Sequence, residues 1–479
     1  MAPNTLTKVR FPPSPTGPMH IGTARAMLFN YLFAKKMGGT IVFRSEDTDQ
    51  ARSTTEYEQE IIDGLTWLGL TWDEGPYRQS ERYSVYERHF ETLKKSGAIY
   101  PCYCTAAELE AERAEQNTKK LPPGYSGRCR DLTAPQIQQF EAEGRQPAFR
   151  FRVPHEAIHF TDLIRGEITE QGRGIADFVV RKADGQFLYH FCVVVDDMEM
   201  GVTHVIRGED HISNTPKHLL LFRALSATIP TFAHLPLLLN KDRSKMSKRD
   251  ESGRPMTLTR LREDGYLPAA VVNYLALLGW NPGDTREFFT LSELTQEFDL
   301  ARVAKAGAIF DLERLNFFNQ HYIRELPMEE LSASIRPLLD FPVTDEQKLT
   351  QAISLIRERL KFFSEAPAQL KFFFVTPDVQ NELYPNEKMK VDLAMARQAL
   401  IAALPAFEQI DETQWTRATL EAALLALVVQ LGWKNGQLLW PLRVALTGEK
   451  FSPGTFEVAE IIGKTEVLTR LNRAIDKIK

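Results

Sequence analysis

The stretch that decides the fold lies near the start of the chain, where residues 8–44 read KVRFPPSPTGPMHIGTARAMLFNYLFAKKMGGTIVFR. Lys8–Phe11 is predicted to be a strand that ends at the two prolines. Thr23–Met37 is predicted to be a helix that ends at Gly38-Gly39, because glycine readily adopts the left-handed C-cap conformation. The β-branched run Thr40–Arg44 predicts the next strand. A strand, a helix and a strand in this order predict a parallel sheet with helices packed against it.

The loop between the first strand and the first helix, Pro13–Thr23, has a composition that suits phosphate binding. Parallel sheets bind ligands at the carboxyl ends of their strands, where this loop is expected to lie. Gly17 and Gly22 allow the backbone to approach a ligand, and the helix start offers free N–H groups to a phosphate. His20 can donate a hydrogen bond to a phosphate oxygen. Taken alone, these residues also fit a tight Pro/Gly turn that carries a surface histidine.

The rest of the N-terminal half continues the alternation of strands and helices, with one interruption. A helix that begins with a Ser53/Glu56 capping box follows the second strand. Residues from Pro101 to about Arg181 differ in character and are interpreted as an insertion into the sheet domain. The other predicted elements are a charged helix at Ala106–Gln116, short strands at Ala148–Val153, and returning strands at Leu188–Val195 and Val202–Arg207.

From about Phe318 the chain is predicted to be almost entirely helical. Two stripes of apolar residues step by three and four, which indicates the packed faces of helices. The stripes are Leu349, Ile353, Ile356, Leu360 and Phe363, and Leu420, Leu424, Leu427 and Leu431. Three cations, Arg357, Arg359 and Lys361, crowd one short stretch, which fits contacts to nucleic-acid bases and equally fits a solvated helix face.

Length and composition limit the classes of protein. The chain has 479 residues, 43% hydrophobic and 25% charged, so about three domains of an ordinary folded protein are expected. The formal net charge of −5 argues against a protein that coats nucleic acid nonspecifically, but it leaves room for a local basic surface. The N-terminus lacks the apolar core of a secretion signal, and no run of about 18 apolar residues occurs. Neither secretion nor a membrane span is predicted, and a cytoplasmic location is expected.

A second charged cluster lies at Lys241–Arg249, where five cations and one anion occur within nine residues. Lysines on a mobile loop can neutralise the charge that develops on a phosphate during its transfer. As an isolated feature, such a run is also typical of a solvated loop. Its occurrence together with the His20 loop is far more specific than either feature alone.

Three of the four cysteines lie close together in sequence, at Cys102, Cys104 and Cys129. Four cysteines in a chain of this length do not make a disulfide framework, and in a reducing compartment this grouping suggests a metal first. Three thiolates and one further ligand would form a closed tetrahedral zinc site. The alternative is a set of buried thiols without metal. Cys192 lies in an apolar run interpreted as a strand and is predicted to be a packed core thiol.

Two motifs together carry a family resemblance. His20-Ile21-Gly22-Thr23 and, more than 200 residues later, Lys245-Met246-Ser247-Lys248-Arg249 resemble the two signature motifs of class I aminoacyl-tRNA synthetases. The sequence PSPTG at residues 13–17 and the arginine that ends the second motif are similar to the glutamyl enzymes of that class. The same family is matched by RSEDTD at 44–49, VIRGEDH at 205–211 and PLRVALTG at 441–448.

The resemblance implies an enzyme that forms glutamyl-adenylate from L-glutamate and ATP, with Mg²⁺, and transfers the glutamate to the 3′ end of tRNA(Glu). No enzyme nucleophile is used in this class, so positioning and charge stabilisation have to supply the catalysis. The implied catalytic residues are His20, Lys245 and Lys248. The implied ATP-binding residues are Thr16, His20, Gly22, Thr23, Glu209, Lys245 and Lys248. The implied glutamate-binding residues are Arg10, Ser14, Glu46, Tyr189 and Arg207. Val193 stands where some members have a pocket asparagine, and it is left out because its side chain cannot hydrogen-bond.

The resemblance also bears on the cysteines and on the anticodon. Some members have a zinc site of this kind with a tyrosine or a later histidine as fourth ligand, which makes Tyr125 the first choice and Asp131 the second beside the three cysteines. Such a zinc ion would be structural and would brace the segment that meets the tRNA acceptor stem. Arg359 falls where discriminating members have an arginine that excludes a third-position guanine of the anticodon, so discrimination against tRNA(Gln) is predicted.

The expected fold class is α/β: a Rossmann-type class I synthetase core with an α+β insertion, followed by an all-α anticodon-binding region. The predicted domains are a split catalytic domain at 1–100 and 185–240, an acceptor-stem-binding insertion with the zinc site at 101–184, a stem-contact domain with the second motif at 241–320, and helical anticodon-binding domains at 321–380 and 381–479. A monomer without membrane association is expected.

Three other functions fit the sequence less well. The full helical C-terminus argues against a paralogue that transfers activated glutamate to a modified base. A tRNA-binding scaffold without catalysis would have lost some of the residues His20, Arg207, Lys245 and Lys248. A plain nucleotidyltransferase would not need so long a helical tail.

Overall fold

The computed structural model describes residues 6–121, 124–246 and 256–478. Contacts divide the chain into two compact units, Met1–Glu263 with Pro268–Arg314 and Asp264–Leu267 with Leu315–Lys479. The first unit is an α/β structure and the second is almost entirely helical, as predicted. The finer division into five domains, one of them split, stays a prediction. Among the described residues, no helix combines the length and apolar character needed to cross a membrane.

The first unit alternates strands and helices along the chain. In chain order its elements are β1 (Lys8–Phe11), α1 (Ile21–Lys36), β2 (Thr40–Ser45), α2 (Thr55–Trp67), β3 (Glu74–Arg78), α3 (Tyr83–Lys95), β4 (Ile99–Cys102), α4 (Ala106–Thr118), α5 (Ala134–Ala142), β5 (Ala148–Phe151), β6 (Ala157–Asp162), β7 (Gly166–Gln171), β8 (Val179–Arg181), α6 (Tyr189–Glu199), β9 (His204–Gly208), α7 (Thr215–Ala224), β10 (Thr231–Leu235), β11 (Leu238–Leu239), α8 (Leu258–Glu263), α9 (Pro268–Leu277), α10 (Leu291–Glu297) and β12 (Ala308–Ile309).

Prediction and structure agree closely at the N-terminus. β1 covers the predicted residues and pairs in parallel with β2. α1 begins two residues before the predicted start, because His20 is its N-cap and accepts a hydrogen bond from the backbone N–H of Gly22. The helix ends just before Gly38, whose φ of +62° lies in the left-handed region.

The strands of the core form two hydrogen-bonded groups. One has the order β1-β2-β3, and the other has the order β7-β6-β10-β9. β6 pairs in parallel with β10, so a strand of the predicted insertion extends the core sheet. β1 and β9 lie side by side, since the N–H of Thr203 donates to the carbonyl of Lys8 at 2.9 Å. A separate antiparallel sheet of order β4-β5-β8 forms the rest of the insertion's strands.

One predicted strand is a helix. The run Leu188–Val195 is predicted to be extended, but α6 spans Tyr189–Glu199. Five consecutive residues, Phe191–Val195, are wholly buried, because α6 packs against α3, α7 and β8. A helix buried on all sides loses the polar face on which periodicity depends, and its β-branched residues then resemble a core strand. Cys192 is a buried thiol as predicted, although on a helix.

Two element boundaries also differ from the prediction. The capping box at Ser53/Glu56 is wrong by one residue: Thr54 is the N-cap of α2, and its hydroxyl accepts from the N–H of Tyr57 at 3.2 Å. The strand predicted to begin at Val202 begins two residues later, as β9.

The second unit consists mainly of helices that share one hydrophobic core. They are α11 (Leu312–Glu325), which begins at the end of the first unit, α12 (Met328–Ile335), α13 (Glu346–Ile356), α14 (Ala366–Phe374), α15 (Leu393–Glu408), α16 (Arg417–Leu431), α17 (Asn435–Thr447), α18 (Thr455–Ile462) and α19 (Lys464–Lys477). The first apolar stripe enters this core, but α13 ends at Ile356 and a 3-10 turn follows at Arg357–Arg359. In the second stripe Leu420 and Leu424 are buried, whereas Leu431 is 37% exposed at the end of α16.

Candidate active site

A cavity of about 700 Å³ opens where β1, β2 and β9 end. Its volume is in the range of small-molecule sites. The lining contains ten of the residues that the sequence predicts for the site: Arg10, Ser14, Thr16, His20, Gly22, Thr23, Glu46, Tyr189, Arg207 and Lys245. The fold therefore brings residues as far apart in sequence as Arg10 and Lys245 to one site.

The loop before α1 forms one wall of the cavity and is fixed by backbone hydrogen bonds. The carbonyl of Pro13 accepts from the N–H of Glu46 at 2.8 Å, and the carbonyl of Pro15 accepts from the N–H of Thr54 at 3.1 Å. The loop is thus tied to the segment that follows β2. The start of α1 at its far end supplies the helix N-terminus that favours anions.

A buried ionic network holds Glu46 at the other wall. Arg44 is fully buried; its Nη2 donates to Glu46 Oε1 at 3.0 Å and its Nη1 donates to Asp197 Oδ1 at 2.7 Å. Asp197 Oδ1 also lies 3.4 Å from Nε of Arg10, so one carboxylate bridges two arginines. Burial raises the pKa of Glu46, and the attraction of Arg44 only partly offsets this effect.

The neighbouring carboxylate, Asp196, supports the same network from behind. It accepts hydrogen bonds from Gln79 Nε2 at 2.8 Å, Arg82 Nε at 2.7 Å and Tyr86 Oη at 2.9 Å. Sequence reasoning missed Asp196 and Asp197 as site residues. The available signal was two adjacent acids at the end of a wholly apolar run, since buried carboxylates require partners.

Arg207 is 6% exposed and is held mainly by uncharged groups. Its Nε donates to Nε2 of His234 at 3.2 Å, and its Nη2 donates to the hydroxyl of Thr215 at 2.7 Å. Its Nη1 lies 3.3 Å from Nδ1 of His218. Burial lowers the pKa of Arg207 to about 10, which still leaves it charged at neutral pH. Burial also places the pKa of His218 well below its usual value, so that imidazole is neutral.

Tyr189 lies beside this arginine at the start of α6. Its hydroxyl lies 3.4 Å from Nδ1 of His211, and burial raises its pKa to about 12. Tyr189 therefore presents a neutral phenol to the cavity. The groups at this end of the cavity are thus two buried arginines, one carboxylate and several neutral rings.

Lys245 stands at the opening of the cavity. Its side chain is 65% exposed, and its Nζ lies 3.9 Å from a carboxylate oxygen of Asp210. The backbone is anchored on both sides, because Lys245 bridges to Leu239 and the N–H of Met246 donates to the carbonyl of Leu238 at 2.9 Å. The other implied lysine, Lys248, lies outside the described residues.

Glu209, an implied ATP-binding residue, lies between Gly208 and Asp210, which both line the cavity. Its carboxylate accepts from the N–H of Leu237 at 2.8 Å and forms an ion pair with Arg165. These contacts join β9 to the segment after β10, beside the cavity lining and not within it. The side chain is therefore already engaged by protein groups.

Three thiols form a compact cluster away from the cavity. The Sγ atoms of Cys102, Cys104 and Cys129 lie within 4.8 Å of one another, and two of them, on Cys104 and Cys129, are 3.5 Å apart. Tyr125 Oη lies 3.4 Å from Cys102 Sγ and 3.8 Å from Cys104 Sγ. Three sulfurs and one oxygen around a common centre fit a closed tetrahedral zinc site.

The surroundings of the cluster favour a thiolate at Cys102. The pKa of Cys102 is lowered to about 4, first by its hydrogen bond with Cys129 and further by Tyr125 and the guanidinium of Arg150. The same hydrogen bond raises the pKa of Cys129, and burial raises the pKa of Cys104, so the thiolate is placed on Cys102 alone. The second choice for a fourth ligand, Asp131, lies outside the group of thiols: its side chain is 81% exposed and is paired with Arg152 at 2.9 Å. The cluster could therefore hold a metal through three cysteines, with Tyr125 adjacent.

In the second unit, the three cations at 357–361 have different environments. Arg357 donates to the backbone carbonyls of Arg324 and Leu326, so it is a structural residue. Arg359 is exposed, and its charge helps burial to lower the pKa of Arg443 on α17. Arg359 and Arg443 are thus close enough for their positive charges to interact, with Glu457 as a partly compensating anion.

Two further residues near Arg207 were missed by sequence reasoning. His234 was assigned no role there, yet it is wholly buried and contacts Arg207 directly. Asp162 is 1% exposed, and its Oδ2 lies 2.6 Å from Nδ1 of His234. A histidine inside the apolar strand Thr231–Leu235 was a signal of a buried polar contact, because such a side chain requires partners.

Comparisons with known proteins agree with this arrangement. Residues 7–317 match the family of class I tRNA synthetases (E and Q), catalytic domain, and residues 330–475 match an anticodon binding domain. The chain is 43% identical to a glutamate–tRNA ligase of Carboxydothermus hydrogenoformans over 97% of this chain and 99% of the relative. It is 40% identical to one of Bacillus licheniformis over 98% of this chain and 99% of that relative.

Solved structures give the same result. A crystal structure of a glutamate tRNA ligase from Elizabethkingia meningosepticum in complex with its amino acid superposes with a TM-score of 0.85 at 33% identity, covering 99% of this chain and 100% of that one. A glutamate–tRNA synthetase from Elizabethkingia anophelis gives a TM-score of 0.86 at the same 33% identity, covering 98% of this chain and 100% of that one. The resemblance in sequence, the cavity and the matches over the full length lead to one conclusion: the chain belongs to the glutamate–tRNA ligase family of class I aminoacyl-tRNA synthetases.

Proposed function

We propose that this chain activates L-glutamate with ATP to glutamyl-adenylate and transfers the glutamate to the 3′ end of tRNA(Glu). The observation that supports this most directly is one cavity that combines two buried arginines, a buried carboxylate and the loop at the start of α1. Glutamate carries two carboxylates and one ammonium group. The charges that line the cavity are complementary to these groups.

For glutamate recognition we assign Arg10 and Arg207 to the carboxylates and Glu46 to the ammonium group. The planar guanidinium group matches a carboxylate in shape and charge. Glu46 keeps one side fixed by Arg44, which leaves its outer side directed at the cavity. Ser14 and Tyr189 add neutral hydrogen-bonding groups.

For ATP we assign Thr16, His20, Gly22 and Thr23 at the start of α1, with Lys245 at the opening.

A carboxylate oxygen of glutamate attacks the α-phosphate, and diphosphate leaves. The ribose hydroxyl of tRNA then attacks the carbonyl carbon of the adenylate, and AMP leaves with the bonding electron pair. Lys245 and Lys248 neutralise the charge on the phosphates during the first step. Mg²⁺ accompanies ATP, mainly bound by phosphate oxygens and water. Glu209 is also proposed as an ATP-binding residue, and its contacts with Leu237 and Arg165 hold its carboxylate beside the cavity.

The cysteine cluster is proposed to bind one structural Zn²⁺. Cys102, Cys104 and Cys129 supply thiolates, and Tyr125 is the proposed fourth ligand. A zinc ion would supply a rigid link between the end of β4 and the loop before Thr133, without taking part in the reaction. The segment that it braces is proposed to meet the acceptor stem.

The second unit is proposed to bind the anticodon and to discriminate against tRNA(Gln). Support comes from the exposed guanidinium of Arg359 beside Arg443. An arginine at a base edge gives about 1–3 kcal/mol of discrimination between bases. From the family resemblance alone, we propose that the chain acts as a monomer in the cytoplasm.

The test is attachment of labelled glutamate to purified tRNA(Glu), with ATP and Mg²⁺, by the natural chain and by Lys248→Ala. The matched control is Lys35→Ala, which removes a lysine whose partner is Asp73 on the surface. We expect product with the natural chain and with Lys35→Ala, and a large loss with Lys248→Ala. Binding of tRNA without any product in all three would contradict the proposed function and favour a scaffold.

A further inference from the structure

We propose that Asp162 and His234 are positioning residues for glutamate binding: Asp162 fixes the tautomer of His234, and the free lone pair on Nε2 of that ring holds the guanidinium of Arg207. The inference rests on the proposed assignment of Arg207 to a glutamate carboxylate. It assigns a purpose to two buried residues that lie behind the cavity.

The three residues come from three neighbouring strands. Arg207 in β9 lies directly opposite His234 in β10, and Asp162 at the end of β6 lies opposite Phe232 of β10. Asp162 and His234 are 1% and 0% exposed. The sheet therefore fixes the order Asp162, His234, Arg207 across three neighbouring strands, with Arg207 at the cavity and the other two side chains buried.

Each oxygen of Asp162 has a distinct task. Oδ1 accepts three backbone N–H groups, from Ile164 at 2.9 Å, Arg165 at 2.8 Å and His234 at 3.2 Å. Oδ2 faces Nδ1 of His234 at 2.6 Å. Burial works against the charge of Asp162, but these hydrogen bonds outweigh it and its pKa is lowered. A carboxylate only accepts, so Nδ1 of His234 must carry the proton.

The other ring nitrogen must then be an acceptor. In a neutral imidazole only one nitrogen carries hydrogen, and burial lowers the pKa of His234 so that the ring stays neutral. Nε2 consequently offers a lone pair to the Nε–H of Arg207 at 3.2 Å, beside the hydroxyl of Thr215 at 3.0 Å. The opposite tautomer would set two N–H groups against each other at this contact.

A neutral acceptor has a consequence that a carboxylate would not have. Hydrogen bonds to His234, His218 and Thr215 orient the guanidinium of Arg207 without a directly bonded anion among the described residues. The positive charge therefore stays available for a substrate carboxylate. The carboxylate of Asp162 acts through the ring of His234. It thereby helps to orient Arg207 without contacting the guanidinium group itself.

The substitution Asp162→Asn separates this mechanism from simple packing. The amide has nearly the same shape, and its single oxygen should stay with the three backbone donors. Its NH₂ group then faces Nδ1 of His234, which can accept that hydrogen bond only if the ring proton moves to Nε2. The ring would next present N–H to Arg207, so the arginine would lose an acceptor while the fold is retained. The same logic applies where an aspartate sets the tautomer of a catalytic histidine.

The experiment measures glutamate attachment to tRNA(Glu) by the full chain, together with ¹⁵N NMR of histidine-labelled protein. We expect the natural chain to show a protonated Nδ1 and a free Nε2 on His234, and Asp162→Asn to show the reverse. The KM for glutamate should rise about ten-fold or more in Asp162→Asn, while the KM for ATP is unchanged. Asp63→Asn, on the exposed face of α2, is the matched control and should change neither.

A second pair of variants keeps the proposal testable if Asp162→Asn folds poorly. His234→Gln retains an acceptor oxygen near the position of Nε2, whereas His234→Leu has a similar size without one. We expect the glutamine variant to keep a lower KM for glutamate than the leucine variant. Equal KM values in this pair, or a proton found on Nε2 in the natural chain, would overturn the proposal. Failure of the natural chain to charge tRNA would instead contradict the proposed function, and the tautomer measurement does not depend on it.

Discussion

Replacing Arg44 with methionine should destabilise the first unit more than any exposed arginine substitution does. Arg44 is fully buried, and three carboxylates surround it: Asp197 at 2.7 Å, Glu46 at 3.0 Å and Asp196 at 3.8 Å. Burial opposes its charge, but these carboxylates raise its pKa well above the usual value. Methionine fills much of the same space and removes only the cation.

The expected magnitude follows from the buried charges that remain. Removing one partner of a buried ion pair costs about 3–5 kcal/mol, because the other partner stays desolvated and unpaired. Arg10 and Arg82 still contact Asp197 and Asp196, which limits the loss at these two carboxylates. Of the three carboxylates, Glu46 alone is left without an ion pair among the described residues, so we place the cost near the lower end, about 3 kcal/mol.

The penalty should also depend on pH in a definite direction. Without Arg44, the pKa of Glu46 in the folded state rises further above its unfolded value of about 4.3. A raised carboxyl pKa means that the folded state binds the proton more tightly. The bound proton stabilises the folded variant at low pH. This stabilisation is lost as pH rises from the pKa of Glu46 in the unfolded state to its pKa in the folded state. The difference between Arg44→Met and the natural chain should therefore be smaller at pH 5 than at pH 8.

Differential scanning calorimetry at both pH values measures this, with the transition of the first unit followed. The matched control is Arg52→Met, because Arg52 is 72% exposed and its ion pair with Asp49 lies on the surface. Exposed pairs contribute about 0–1 kcal/mol, so the control should melt close to the natural chain. The reasoning is refuted if the two variants melt alike, or if the penalty of Arg44→Met grows as pH falls.

Three further predictions concern the metal, the anticodon and the substrate. Cys102→Ser and Cys129→Ser should lose zinc by metal analysis, whereas Cys192→Ala should retain it; equal zinc content in all three would exclude the cluster as the site. Arg359→Gln should increase the charging of tRNA(Gln) relative to tRNA(Glu) about ten-fold, with exposed Arg336→Gln as control, and an unchanged ratio would contradict the role of Arg359. The KM for glutamate should rise on acidification while the pH is still above the usual range of a carboxyl pKa, because burial raises the pKa of Glu46 and the protonated acid cannot pair with an ammonium group. A flat profile measured beside a constant KM for ATP would count against Glu46.

How much the sequence could predict depends on whether a signal was local. β1, α1 and β2 were predicted well because proline, glycine and β-branched residues mark their ends within a few positions. The run Phe191–Val195 was misassigned because the same β-branched residues suit a buried strand and a helix enclosed by α3, α7 and β8. Nothing within that run distinguishes the two, since the difference arises from packing between elements far apart in sequence.

The site shows the same division. The loop at His20 and the three cysteines have spacings that suggest a ligand, and the structure brings each set together. Asp162 and His234 have no such spacing, because they meet only through the pairing of β6, β9 and β10. Their contact is set by strand order and register, which depend on the whole sheet. A lone buried histidine in a strand is compatible with many partners until that order is known.

The buried arginines of the first unit show why burial alone does not identify a binding residue. Arg44 is surrounded by carboxylates that compensate its charge within the protein, so it has little attraction left for a ligand. Arg207 is buried to a similar degree, but imidazoles and a hydroxyl orient it, and burial lowers its pKa to about 10. Its desolvated charge is compensated only in part until an anion enters the cavity. The chemistry of the partners, neutral for Arg207 and acidic for Arg44, therefore distinguishes these two arginines and supports the proposed assignment of Arg207 to a substrate carboxylate.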